Sequence, residues 1–210
     1  MQLDLTHLAA LAAALGWASG LRLYAVVFLT GAAGFFGWVP LPEGLMLLQH
    51  PLVLGASGLM LMVEFVLDKI PGVDTLWDAV HTFIRIPAGA ALAAGVFSGV
   101  GGLGGAAEVS SAWTLIAALA GGTLAATSHA AKASTRAAAN TSPEPFSNVG
   151  LSLLGDAAVP ALLWLAWEHP LWLFPVLAVA VMLALVLIVV LFKFLRALVR
   201  RFFPAVQPVG

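Results

Sequence analysis

Ionisable side chains gather in the stretch MVEFVLDKIPGVDTLWDAVHTFIR, residues 62–85, of a chain that is otherwise almost free of charge. Its second part carries a regular series that consists of Asp74, Asp78, His81 and Arg85. These residues stand at positions i, i+4, i+7 and i+11, which share one face of an α-helix, and the opposite face is apolar. Carboxylates beside a histidine and an arginine can relay protons, bind a hard cation or hold a phosphate group. Because charge facing lipid is costly, we expect the stripe to face protein or a water-filled cavity.

Three further ionisable residues, Glu64, Asp68 and Lys69, precede this stripe. Asp68 and Lys69, together with Asp74, flank the turn sequence IPG and admit two interpretations, a solvated turn or part of a buried site. Glu64 lies one helical turn before Asp68 on the same face and is harder to place in water. The structural alternative is that Arg85 pairs with Glu64, or with a carboxylate of its own helix, and only ties two helices together.

A basic counterpart occurs in the second half of the chain, in the sequence TSHAAKASTR. His129, Lys132 and Arg136 stand at i, i+3 and i+7 among small residues that let neighbouring helices approach closely. Asn148 and Asp156 follow. We expect the acid-rich and base-rich segments to neutralise each other around one central polar cavity, which is the predicted site. The candidate substrate or ion pathway comprises Glu64, Asp68, Asp74, Asp78, His81, Arg85, His129, Lys132, Arg136, Asn148 and Asp156.

Composition places these residues in a membrane protein. Of the 210 residues, 61% are hydrophobic and 9% are charged, against about 45–50% and about 25% in soluble domains. Too little polar surface remains to cover a water-soluble core, so lipid is the expected solvent. A net charge of −1 provides no basic face for nucleic acid. Without cysteine, the chain has no disulfide, thiolate metal site or cysteine nucleophile.

Other ligands have little support in the sequence. The stretch GVGGLGG lacks the following Lys-Ser/Thr of a phosphate-binding loop, and the His-Glu-x-x-His spacing of a metal site is absent. The i, i+4 carboxylate pairs Glu64/Asp68 and Asp74/Asp78 could hold a hard cation, but such pairs are common on helices. We therefore predict no cofactor and leave metal binding open.

The apolar residues form about six segments, each long enough to cross the hydrocarbon core. Gly, Pro and polar clusters separate them, and the short connections imply antiparallel neighbours. The sequence thus predicts an all-α polytopic transmembrane bundle of about six helices in a single membrane domain, residues 1–210. The Gly-rich first segment could be one helix, or a broken or re-entrant one. The segments lie near residues 4–35, 51–69, 75–98, 112–138, 148–167 and 170–199.

The last segment indicates the orientation of the chain. Its apolar run is closed by Lys193, Arg196, Arg200 and Arg201. By the positive-inside rule this C-terminal end is cytoplasmic. With six crossings, the N-terminus would lie on the cytoplasmic side as well.

A faint internal similarity links the two halves of the chain. GLMLMVE at 58–64 and GLSLLGD at 150–156 share Gly-Leu-x-Leu-x-x-acid within apolar segments. This pattern suggests two inverted three-helix repeats, residues 1–100 and 108–203, as found in many transporters. Chance similarity in a chain rich in Leu, Gly and Ala is the alternative.

Several of these motifs together resemble a known family. They are GLRLY at 20–24, EFVLDKIPGVDTLWDAVHTFIRIPAGA at 64–90, and SHAAKASTR, SPEPFSN and GD between residues 128 and 156. They are similar to an uncharacterised bacterial membrane family, family 4126 among the domains of unknown function, over most of residues 16–160. The resemblance implies a multi-pass protein of the bacterial cytoplasmic (inner) membrane. It brings no established activity, so no residue role is carried over.

Three functions fit the residues. We favour a small transporter or channel-like permease for a charged or polar solute, such as an ion or a phosphate-bearing head group. The second is an intramembrane enzyme acting on a lipid phosphate, which requires His81 or His129 within hydrogen-bond reach of Asp78. The third is a non-catalytic lipid-binding or assembly protein. The expected partners are the lipid bilayer and the solute or head group, and a homo-oligomer is left open.

Overall fold

The chain folds as a helical bundle. The computed structural model describes residues 3–98, 107–141 and 146–202, and no strand occurs within those ranges. Of the helices described there, five are long and apolar enough to cross a membrane, and a bent pair would provide a sixth. The predicted all-α bundle of about six helices is confirmed. In chain order the helices are α1 (Leu5–Phe35), a short 3₁₀ helix (Glu43–Gln49), α2 (Pro51–Leu67), α3 (Val73–Phe97), α4 (Ala107–Ala139), α5 (Phe146–Glu168) and α6 (Pro170–Phe202).

Local sequence explains several helix ends. Asp4 caps α1, because its carboxylate accepts a 2.8 Å hydrogen bond from the His7 backbone N–H. That hydrogen bond also lowers the pKa of the Asp4 carboxyl. Pro51 stands in the first turn of α2, where its missing N–H has no partner to lose. Gly72, before α3, has a φ of +83°, a left-handed conformation that favours glycine.

Helices α1, α3 and α4 form the tightly packed centre of the bundle. A Cβ atom on Gly16 of α1 would lie 2.6 Å from the Cα of Gly121 in α4. A Cβ atom on Gly121 would lie 2.3 Å from the Cβ of Ala93 in α3. Small residues therefore bring three backbones into direct contact, as is common where helices associate in membranes.

Helix α1 is broken at Arg22, whose φ of −149° and ψ of 80° lie outside the helical region. The break divides α1 into a first half, residues 5–21, and a second half, residues 23–35. An extended residue interrupts the hydrogen-bond ladder and frees carbonyl groups that precede it. Lys132 of α4 donates to one of these, the carbonyl of Leu21, at 3.0 Å. The sequence did not decide whether the first segment is one continuous helix or a broken one, and the structure shows a broken helix.

The first half of α1 runs alongside α4 and in the same direction. Gly16 packs against Gly121, and Gly20, one turn later, packs against the Ala125 carbonyl. The chain of this first half therefore runs toward the C-terminal end of α4.

The second half of α1 runs back. Tyr24 bonds to His81, near the start of α3, at 3.1 Å. Two turns later, Gly31 packs against the 3₁₀ helix, whose own Gly44 lies against Gly95 near the end of α3. The second half thus follows α3 from its beginning toward its end.

Helix α1 is therefore a re-entrant hairpin with Arg22 at its tip. Residues 9–13 of its first half lie beside Phe97 and Trp113, at the same end of the bundle as its last residues. The opposite end contains the α2–α3 turn, residues 68–72, and we call it the turn end. Helix α6 starts beside the first half of α1 and finishes at the turn end. The first and last described residues thus lie at opposite ends of the bundle, because α1 turns back at Arg22, whereas six crossings would bring them to one side.

The two inverted repeats stay a prediction. Helix α4, the counterpart of α1 in that scheme, is a continuous helix of 33 residues.

Candidate functional site

Ten ionisable side chains meet near the turn end and form what we call the charged network. Among the described residues it contains five carboxylates and five cationic side chains, so its formal charge is zero. It joins the acid-rich and base-rich segments, as their sequences predict. The carboxylates are Glu64, Asp68, Asp74, Asp78 and Asp156, and the cations are Arg22, Lys69, Arg85, Lys132 and Arg136.

Helix α6 indicates the depth at which the charged network would lie in a bilayer. Leu187 of α6 lines the same cavity as Lys132 and Arg136. It precedes Lys193, the first charged residue of α6, by six residues, or about 9 Å of helix. The network therefore lies beside the apolar run of α6 rather than beyond its end. Charges at that depth are costly unless they are paired.

Helix α3 separates a buried polar face from an exposed apolar face, as its spacing predicts. Asp74, Asp78, His81 and Arg85 are all buried, whereas Phe83 on the opposite face is 83% exposed. The stripe faces the protein, and the apolar residues face the surface that lipid would cover.

Asp68 is the centre of the charged network. Its Oδ2 atom lies 2.7 Å from Arg22 Nη1, 3.0 Å from Lys132 Nζ and 3.0 Å from Arg136 Nη2. Asp68 and Asp74 are both fully buried, so the interpretation of these residues as a solvated turn is wrong. Cations from other helices cover the turn and draw it into the bundle.

Arg85 joins α2 to α3 within the network. Its Nη2 atom lies 2.5 Å from Glu64 Oε1, and its Nη1 atom lies 2.7 Å from Asp78 Oδ1. Lys132 Nζ lies 3.1 Å from the same Asp78 oxygen. Helix-tying ion pairs therefore exist, as the structural alternative requires, but they are shared rather than isolated. The i, i+4 carboxylate pairs that could have bound a hard cation face Arg and Lys side chains instead.

Arg22, at the hairpin tip, joins α1 to α5. Its Nη2 atom lies 2.9 Å from Asp156 Oδ1 and donates a 2.8 Å hydrogen bond to Ser152 Oγ. Lys69 Nζ lies 3.4 Å from the other Asp156 oxygen. The sequence hypothesis omitted Arg22, Lys69 and Ser152 from the site. An arginine inside a long apolar segment was the available signal for Arg22, whereas Ser152 offered none.

His129 belongs to a chain of hydrogen bonds that fixes its tautomer. Arg85 can only donate, so the 3.3 Å contact of its Nη1 makes His129 Nδ1 an acceptor. His129 Nε2 then carries the proton and donates to Thr82 Oγ1 at 2.7 Å. The Thr82 hydroxyl donates in turn to the Asp78 backbone carbonyl at 3.0 Å. His129 is therefore neutral here, because a second proton would face the Arg85 guanidinium.

His81 sits between a carbonyl and a phenol. The Trp77 carbonyl can only accept, so His81 Nδ1 donates to it at 2.9 Å. His81 Nε2 then accepts from the Tyr24 hydroxyl at 3.1 Å. The described hydrogen bonds of both histidines thus lead to partners other than the Asp78 carboxylate. The enzyme hypothesis requires a histidine hydrogen-bonded to that carboxylate as an acid–base pair, and the described hydrogen bonds do not include one.

Two asparagines close the network at its outer edge. Asn140 Nδ2 donates to Asp74 Oδ1 at 3.0 Å, and the Asn148 amide donates to the side-chain oxygen of Asn140. Arg136 Nη1 lies 3.5 Å from the second oxygen of Asp74. Asn148 therefore reaches the network through Asn140, a residue that the candidate list did not include.

A cavity of about 290 Å³ adjoins the network between α1, α4, α5 and α6. Its charged lining residues are Arg22, Lys132 and Arg136, all cations, and most of its remaining wall is apolar. We expected one central cavity lined by both charged segments. The described cavity instead lies to one side, because ion pairs fill the centre and residues 62–85 do not line it.

The helices and the buried network together define a polytopic helical bundle of the kind that crosses membranes several times. The sequence matches the family model described as "Domain of unknown function (DUF4126)" over residues 9–192, and the chain belongs to that family. No curated protein and no solved structure matches the chain.

Proposed function

We propose that the protein is a small membrane carrier that moves an anionic solute by rearranging the charged network. The observation that carries this proposal is the position of Arg22. As the tip of a re-entrant hairpin, it is bonded to Asp68 at the end of α2 and to Asp156 in α5. Broken helices that meet at a polar site within the bilayer recur in membrane transporters. Movement of the hairpin would change which carboxylate Arg22 contacts.

Shared ion pairs suit such movement. Lys132 lies within 3.1 Å of both Asp68 and Asp78, and Arg22 likewise faces two carboxylates. A cation that leaves one carboxylate therefore remains beside another and is not left unpaired. Buried ion pairs stabilise a fold little more than well-packed apolar residues do. A network of this size is thus better explained by a function than by stability alone.

A carrier accounts for the packing better than an open channel does. Between the network and the opposite end of the bundle, Gly16, Gly121 and Ala93 bring α1, α4 and α3 together without space for an added methyl group. A solute would pass this layer only if the helices moved. A purely structural assembly role is less favoured, because a cavity lined by three cations adjoins the network.

The charge balance favours an anion that travels with a proton. The charged residues among those that line the cavity are all cations, which would attract a negative group. Since the network is already neutral, one added anion would leave an uncompensated charge at membrane depth. A proton on His81 would restore the balance, because the protonated ring can donate to both the Trp77 carbonyl and the Tyr24 hydroxyl.

Purified protein in liposomes tests the proposal. Inorganic phosphate, acetate and an alkyl phosphate are offered in turn, with a pH-sensitive dye inside the vesicles. We expect uptake of at least one anion above that of empty liposomes, with internal acidification and little response to membrane potential. Asp78→Asn and Arg136→Gln should each reduce uptake at least tenfold. Lys193→Gln, which removes an exposed charge from α6 outside the network, should leave it unchanged.

Each part of the proposal can fail separately. Uptake equal to that of empty liposomes for all three anions would reject a carrier of this class. Full uptake by both network variants would show that the charged network has no part in transport. Anion uptake that transfers net charge across the membrane without internal acidification would show that transport is not coupled to protons.

A further inference from the structure

We infer that the cavity beside Arg22 binds the anionic head group of a single-chain amphiphile that enters from the bilayer. This inference rests on the proposed function and deepens it, because it names the chemical class of the solute and its route of entry. The site is the cavity between α1, α4, α5 and α6.

The cavity opens sideways onto the apolar surface of the bundle. Its rim includes Leu154, Leu183 and Leu187, which are 68%, 58% and 43% exposed. Its base includes Arg22 and Arg136, which are 1% and 2% exposed. A ligand would therefore enter between α5 and α6 from the lipid and meet the cations last.

The walls and volume fit an alkyl chain better than a hydrated ion. Trp17, Leu151, Ala158 and Ala184 line the space between rim and base. The volume of about 290 Å³ corresponds to roughly ten groups the size of water or methylene. A compact head group and the first part of one chain would fill it, and the rest of the chain would lie along α6 in the bilayer.

Arg22 offers a donor that nothing else in the described chain uses. Its Nε atom is buried and has no hydrogen-bond partner. Gly155 also lines the cavity, and a Cβ atom added there would lie 3.6 Å from that nitrogen. Glycine at position 155 therefore adds no side chain against this buried nitrogen. Buried donors are normally paired, so an oxygen of an anionic head group would satisfy this one.

The charges around this donor select the sign of the head group. Lys132 and Arg136 also line the cavity, whereas no carboxylate of the described part of the chain does. A phosphate monoester or a carboxylate would therefore be bound more tightly than a neutral alcohol of equal chain length. Phosphate and carboxylate share this chemistry, so the test includes both.

Trp17 lines the cavity and reports its occupancy by fluorescence quenching. Purified full-length protein in a neutral detergent is titrated with brominated undecyl phosphate, brominated undecanoate and brominated undecanol. Comparison with Trp17→Phe isolates the signal of Trp17 from the other tryptophans. We expect saturable quenching by one or both anions at a concentration at least tenfold lower than for the alcohol. Equal quenching by all three probes would mean that the cavity only accepts lipid tails, and the inference would be wrong.

Two substitutions that fill the cavity without touching a charge identify the site. Ala184→Phe in α6 and Ala158→Phe in α5 should each weaken anion binding at least tenfold. Ala178→Phe and Ala157→Phe place the same ring on exposed positions of the same helices and should have no effect. A thermal unfolding transition confirms that each variant is folded, and full binding by a folded cavity variant would exclude this site.

The binding site and the carrier function can be rejected independently of each other. Anion binding that depends on the cavity, without uptake into liposomes, would reject the carrier and keep the site. Uptake that persists in both cavity variants would keep the carrier and reject this site.

Discussion

Arg22 Nη1 lies 2.7 Å from Asp68 Oδ2, so the residue at which α1 is broken is bonded to the residue that ends α2. Both side chains are buried. The contact holds the tip of the hairpin at the residue where the helical conformation of α1 is interrupted. The shape of α1 is therefore a property of the assembled bundle.

Loss of the Asp68 charge should destabilise the fold. Asp68→Asn keeps the size of the side chain but leaves three cations facing a neutral amide. Breaking a buried ion pair by removing one partner costs about 3–5 kcal/mol, and we expect a loss of that order. Thermal unfolding in detergent measures it. Glu168→Gln, an exposed carboxylate at the end of α5, is the control and should change the transition little; an equal effect of both substitutions would contradict the central role of Asp68.

The re-entrant hairpin can be tested by labelling from the two sides of the membrane. The chain has no cysteine, so single cysteines can be introduced without background. Asp4→Cys and Trp38→Cys, which flank α1, should be labelled from the same side, and Val199→Cys near the end of α6 from the other. By the positive-inside rule the side of Val199 is expected to be cytoplasmic. Labelling of Asp4→Cys and Trp38→Cys from opposite sides would mean that α1 crosses the membrane.

A single methyl group should disrupt the packed centre of the bundle. Gly16→Ala places a Cβ atom 2.6 Å from the backbone of Gly121, where neither helix can yield without moving away. Overpacking of this kind costs about 1–3 kcal/mol. Gly55→Ala, on the exposed face of α2 with no atom within 4 Å, is the matched control. Because alanine is the better helix former, the control should leave the free energy of unfolding unchanged or raise it slightly. The same outcome for Gly16→Ala would show that α1 and α4 have room for a methyl group at this contact.

The hydrogen-bond chain through His129 predicts a specific role for Thr82. Thr82→Val keeps the shape of the side chain but removes the acceptor of His129 Nε2–H and leaves that buried donor unpaired. We expect a loss of about 1–3 kcal/mol. Thr123→Val removes an exposed hydroxyl whose described hydrogen bond goes to its own helix, at the Leu119 carbonyl, and should cost little. If both variants lose the same free energy of unfolding, the hydrogen bond between His129 and Thr82 does not contribute to stability.

The part of the site on α3 could be predicted because spacing alone decides it. Asp74, Asp78, His81 and Arg85 share a helical face, and in lipid that face has to turn inward. The basic stripe of α4 follows from the same argument. In both cases the sequence predicts which side chains must be buried away from lipid, and the bundle buries them in the same place.

The break in α1 and the cavity could not be predicted in the same way. The residues around Arg22 continue an apolar helical pattern, and the extended conformation of Arg22 is held by Asp68 and Asp156, which are distant in sequence. Ser152 joins the site only because α5 packs against the hairpin tip. The cavity lies beside the charges because ion pairs occupy the centre, a matter of side-chain geometry that spacing does not encode.

The hairpin also sets an order for biogenesis. Arg22 is synthesised well before its acceptor Ser152, which lies 130 positions later in the chain. Asp68 is synthesised before α5, but Asp156 and Ser152 are not, so until then the guanidinium lacks its partners from α5. The hairpin of α1 can therefore complete its contacts only after α5 has been synthesised.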